Sequence, residues 1–187
     1  MLVGEMSSST SPSQFTRSGG SVTLNGPASS NGLYAPVLPG ASPGTTLGTL
    51  YIGGAANFDS GAGTYTMSAG TLDTTTAPGG GAIVLGFSGV GTLDQTGGQV
   101  TTGFVDMGDC GGCNGGNAAG FYDLNGTSTL IAGGINVGDV GHAEFTQNAD
   151  GNGNTTNTVN GTLSIGNGPT ASPNVANAGN YDRSGTY

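Results

Sequence analysis

An apolar residue stands directly before a glycine at Ile52-Gly53, Leu85-Gly86, Met107-Gly108, Val137-Gly138 and Ile165-Gly166, each time closing a short apolar stretch. The separations are 33, 22, 30 and 28 residues. A second pattern alternates with the first. It reads "TYTMSAGTL" at 64–72, "TLDQTGGQV" at 92–100 and "FYDLNGTSTL" at 121–130, with weaker copies at 14–22, 144–152 and 180–187. The order of the two patterns is constant. A unit of roughly 20–30 residues holding two or three short strands cannot bury its apolar face alone, whereas stacked copies cover one another.

The segments are short, rich in Thr, Val, Leu and Tyr, alternate with period two, and are punctuated by Gly, Asn and Asp. No apolar pattern of helical period has useful length. The expectation is an all-β chain, a parallel β-helix (β-solenoid) of about five irregular Gly-rich coils. In that arrangement Tyr65, Leu93 and Tyr122 stack inward, as do Leu72, Val100 and Leu130, and Thr and Ser face outward. Gly63 and Gly70 are expected to turn corners, where positive φ is common. A Gly-rich antiparallel β-sandwich or jelly roll is the alternative. Residues 1–31 read as an extended or flexible N-terminal segment, an inter-subunit arm, with residues 1–13 lacking order. Residues 32–187 read as the repeat domain, ending in an incomplete coil.

Composition then limits function. Of 187 residues 40 are Gly, and only 7% are charged. The two cations are Arg17 and Arg183, there is no Lys, and the net charge is -9. Nucleic-acid binding requires a basic stripe to displace counterions, so it is excluded. Attraction to anionic lipid fails for the same reason. No apolar run reaches the ~18 residues of a membrane span. The N-terminus lacks the basic start and apolar core of a secretory signal, so an exported chain of this composition is expected to be a mature or partial product or to use another route.

The pattern "G-T-Y-T-x-S-x-G-T-L" followed by "I-G" resembles the Gly/Thr-rich repeats of bacterial autotransporter-type and PEP-CTERM-type exported surface proteins. The resemblance covers roughly residues 47–187, with an echo at 14–24. It implies a right-handed parallel β-helix on an exported surface protein, and no particular activity.

Few residues offer chemistry. Cys110 and Cys113 in "CGGC" sit in a Gly-rich loop without a following helix, so a thiol-lowering helix dipole is missing. Two thiols and the lone His142 fall short of the four ligands of a structural zinc site. A local disulfide pinning the loop is expected, in keeping with an oxidising exterior. In "DGNGN", Asp150, Asn152 and Asn154 place side-chain oxygens at alternate positions, as at the start of a calcium loop, but the twelfth position is Gly161, so it is no EF-hand. Calcium there, or near Asp106, Asp109 and Asp139, is the one cofactor expectation; a solvated turn is the bland one. A glycosidase needs two carboxylates at a defined separation. Scattered Asp73, Asp94 and Asp123, no Trp and two Arg supply such a site poorly, so no enzymatic activity is expected.

The functional expectation is a structural subunit of an extracellular or cell-surface fibre, a homo-oligomer stacking head to tail. "SGTY" at 184–187 matches "AGTY" at 62–65, and "FTRSGGSV" resembles the residues expected to continue the unit past that Tyr. A monomeric adhesin or passenger fragment touching glycan or matrix is the alternative, and a polysaccharide-acting enzyme the third.

Overall fold

The structure is a computed structural model, and it describes residues 1–3, 13–24, 48–54, 61–75, 81–108, 118–138, 141–148, 154–166 and 179–184. Among these the secondary structure is strand alone. The strands are β1 (Leu2–Val3), β2 (Ser13–Thr23), β3 (Thr49–Ile52), β4 (Ala62–Asp73), β5 (Ala82–Leu85), β6 (Val90–Gln95), β7 (Gln99–Thr102) and β8 (Phe104–Met107). Further along the chain come β9 (Ala119–Leu124), β10 (Thr129–Ala132), β11 (Ile135–Val137), β12 (His142–Asn148), β13 (Thr156–Val159), β14 (Leu163–Ile165) and β15 (Gly179–Ser184).

They form two sheets. A six-stranded sheet has the order β1-β3-β5-β8-β11-β14. A nine-stranded sheet runs β13-β10-β7-β4-β6-β9-β12-β15, with β2 also paired to β4. Every pairing is parallel. An antiparallel sandwich is therefore not what forms among the described residues. The reason lies in the connections: each strand pairs with the equivalent strand of the next repeat, not with the strand after it in sequence. β4 spans a bend, since Ala62–Met67 register with β6 while Thr71–Asp73 register with β7.

The two sequence patterns translate directly into register. Val3, Ile52, Leu85, Met107, Val137 and Ile165 lie in one column of the six-stranded sheet. Phe15, Tyr65, Leu93, Tyr122, Phe145 and Tyr181 lie in one column of the larger sheet. Val22, Leu72, Val100 and Leu130 form another. Tyr65, Leu72, Leu93, Val100, Tyr122, Leu130 and Phe145 are all fully buried in a single core. Tyr122 and Phe145 rings stand 5.1 Å apart and Phe15 and Tyr65 rings 5.0 Å apart, within the range of favourable tilted aromatic pairs.

The glycine of each apolar-Gly anchor has positive φ, from +66° at Gly166 to +81° at Gly53. The chain leaves the six-stranded sheet through a left-handed residue at each of these anchors, a conformation glycine adopts without steric cost. Gly70, at φ +88°, turns a corner as expected. Gly63 does not. It registers with Gly91 and through it with Gly120, and a Cβ at any of the three would overlap a carbonyl oxygen of the six-stranded sheet, namely Val3, Ile52 and Leu85. These positions are glycine because two sheets approach closely there, not because the backbone needs positive φ.

Two described pieces of the N-terminal segment pair within the chain. β1 pairs with β3, and β2 pairs with β4 across two register shifts.

Candidate functional site

The described residues gather no group of three or more His, Cys, Asp or Glu able to hold a metal ion. Cys110, Cys113, Asp150 and Asn152 lie outside the described residues, as do Asp109 and Asp139. Asn154 is exposed, two residues before β13. His142 is exposed at the start of β12, its ring 5.7 Å from that of Phe121. No helix among the described residues is long and apolar enough to cross a membrane.

What the fold does concentrate is unusual chemistry at the ends of its sheets. In the six-stranded sheet, β14 pairs with β11 and β1 with β3, and each is terminal. Leu163 and Ile165 on β14 register with Ile135 and Val137, which are fully buried, yet they are themselves 40% and 47% exposed. At the opposite end Met1 is 41% exposed. Among the described residues these are the exposed large hydrophobic side chains. Met1 is held in place, its ammonium donating to the Thr49 carbonyl at 2.9 Å and its carbonyl accepting from the Tyr51 amide at 2.9 Å. Burial lowers the ammonium pKa.

The larger sheet ends differently. One column reads Arg17, Met67, Gln95, Leu124, Gln147, Arg183. Both cations of the chain thus occupy one column, at its two ends. Arg17 is only 6% exposed. Its Nε donates to the Gly19 carbonyl at 3.0 Å and its Nη1 to the Thr71 carbonyl at 2.6 Å, while Nη2 has no partner. An inward charge on a terminal strand is a device by which sheets discourage edge pairing. Their common column is invisible in the sequence, because it follows from five successive registers.

Two further features are polar. Gln95, fully buried, accepts from Tyr122 Oη at 2.7 Å and donates from Nε2 to the carbonyls of Gly98 and Thr129 at 3.0 and 3.1 Å. Its backbone carbonyl accepts from Ser128 Oγ at 2.9 Å. Burial raises the Tyr122 phenol well above its ordinary value, and its hydroxyl is committed to Gln95. On the outer face, Asp94 registers directly against Asp123. The Asp123 carboxyl is pushed up by partial burial, then by Asp94 and Glu144, with the Thr146 hydroxyl opposing.

Comparison with protein-family models, with curated proteins and with solved structures gave no match.

Proposed function

We propose that the chain is a β-solenoid whose successive repeats are coils, and that it serves as a structural subunit of an extracellular or cell-surface fibre built by head-to-tail stacking. The observation that carries this reading is the apolar pair Leu163 and Ile165, exposed at the ends of two columns that elsewhere line the core. The opposite end of the same sheet offers Met1 and β1. Side chains of a core column left in water invite a next layer, and a terminal strand carries backbone groups able to pair with it. The two ends are different surfaces, so the contact is heterologous and open-ended. The low count of charges and the absence of Lys suit a passive exterior surface.

Sedimentation velocity and negative-stain electron microscopy of the purified chain test this. Fibres are expected, with an axial repeat of about 29 Å for six rungs at about 4.8 Å each. Replacing Leu163 and Ile165 together by Asp is expected to leave folded monomers with unchanged circular dichroism. Monomers at millimolar concentration in the unaltered chain would overturn the fibre and favour a monomeric adhesin.

A further inference from the structure

The two terminal strands of the six-stranded sheet match one another residue for residue. Leu50, Ile83, Val105, Ile135 and Leu163 share one inward column. Met1, which precedes Leu2 on β1, begins that column, because Leu2 registers with Tyr51. Its four interior members are fully buried, whereas Met1 is 41% and Leu163 40% exposed. The next inward column begins at Val3 and ends at Ile165.

Backbone hydrogen bonds run along this second column as a series. Each anchor glycine donates its amide to the carbonyl one rung earlier: Gly53 to Val3, Gly86 to Ile52, Gly108 to Leu85, Gly138 to Met107 and Gly166 to Val137, at 2.8–3.0 Å. The next acceptor in the series is the Ile165 carbonyl, on the open edge of terminal β14. The sequence holds a matching donor at the other end. Val3 is itself followed by a glycine, so Leu2-Val3-Gly4 has the form of Tyr51-Ile52-Gly53. Gly4 lies outside the described residues. The Met1 and Val3 carbonyls accept from the Tyr51 and Gly53 amides, and so turn toward β3. Successive residues of a strand offer their backbone groups to opposite edges, which leaves the Leu2 amide and carbonyl facing away from β3.

We propose that a second copy of the chain adds its β1 to β14, parallel and in one register: Met1 beside Leu163, Leu2 beside Ser164, Val3 beside Ile165. The incoming Leu2 amide donates to the Leu163 carbonyl, the Ile165 amide to the Leu2 carbonyl, and the Gly4 amide to the Ile165 carbonyl. The seam rests on the fibre reading and names its contact. A second copy is the occupant because β1 continues both columns with apolar residues and supplies the glycine that the series calls for.

The test compares Leu2→Pro with Leu2→Ala in the full chain, by sedimentation velocity and electron microscopy. Proline is tolerated on an edge strand where its missing N–H faces outward, so both variants are expected to keep the β-sheet circular dichroism of the unaltered chain. Loss of one seam hydrogen bond, with its acceptor left unmatched, is expected to raise the concentration needed for fibres about tenfold in Leu2→Pro. Leu2→Ala keeps the amide and is expected to assemble as the unaltered chain does. Fibres that form equally well in Leu2→Pro, or fail equally in Leu2→Ala, overturn the seam and leave the fibre reading standing. No fibres in the unaltered chain overturns both. Should Leu2→Pro lose its circular dichroism, Ile165→Pro beside Ile165→Val decides, since the Ile165 amide also faces the open edge: weakened assembly in the proline variant alone supports the seam, and an equal effect in both overturns it.

Discussion

The two sheets end in opposite ways. Among the described residues the six-stranded sheet stops on apolar side chains, with Leu163 and Ile165 at one terminus and Met1 at the other. The nine-stranded sheet carries Arg17 and Arg183 at the two ends of one column. Under the proposed fibre, the first end would favour continuation and the second would oppose it. In a perfectly continued stack, Arg183 of one subunit would fall next in column to Arg17 of its neighbour. Like charges directly opposite destabilise a strand pair. On the proposed head-to-tail stacking, the apolar sheet would supply the attraction and the arginine column would penalise tight closure on the other side.

The largest test compares interior with end rungs of one column. Leu85→Ala removes a fully buried side chain and is expected to cost about 2–5 kcal/mol. Ile165→Ala, in the same column but half exposed, is expected to cost the monomer less than about 1 kcal/mol. Chemical denaturation of each variant at low protein concentration reads the contrast. Equal losses would show that the end rung is as well covered as the interior.

A smaller contrast uses the anchor glycines. Gly86→Ala places a Cβ onto the Ala119 backbone at φ +68°, whereas Gly166→Ala has φ +66° with nothing within 4 Å. Left-handed backbone alone costs about 1–2 kcal/mol, so Gly166→Ala is expected near that value and Gly86→Ala well above it. Melting temperatures of the pair measure the clash separately from the strain.

Arg17→Met sharpens the other end. Exchanging a buried, partly unsatisfied charge for an apolar side chain is often neutral or stabilising. The variant is expected to fold with unchanged or slightly raised stability and to associate more readily. Sedimentation of the variant beside the unaltered chain reads this, and unchanged association would remove the arginine column from the comparison.

The smallest effect belongs to the acidic ladder on the middle of the larger sheet. The Asp123 carboxyl has a raised pKa in the folded state. The folded chain therefore holds that proton more tightly than the unfolded chain. Its destabilisation is present at neutral pH and is relieved as pH falls through the folded pKa. Because the group is partly exposed, screening keeps the effect to a few tenths of a kcal/mol. Asp123→Asn is expected to stabilise by that amount at pH 7 and to flatten the pH dependence of unfolding measured down to the carboxyl range.

Much of this was legible in the chain. The apolar-Gly pairs mark the repeat, and the structure adds that they share a column and leave it through a left-handed glycine. Tyr65, Leu93 and Tyr122 announce another column because their flanking residues repeat. Gly63 shows the limit of such reading. Its neighbours suggest a corner, but its need for glycine comes from the Val3 carbonyl, distant in sequence. Asp106 shows the same limit, for it lies on the face opposite the core, and only the packing of that face withdraws it from water.

Local sequence determined the strand type, the inward set and the left-handed turns, all of which depend on residues within a few positions of one another. Tertiary structure alone decided which rung is last, which acids face each other and which arginines share a column. Repeats 22 to 33 residues long cannot be aligned by counting. Their register is set by parallel backbone pairing, and an end is defined only by what does not stack upon it.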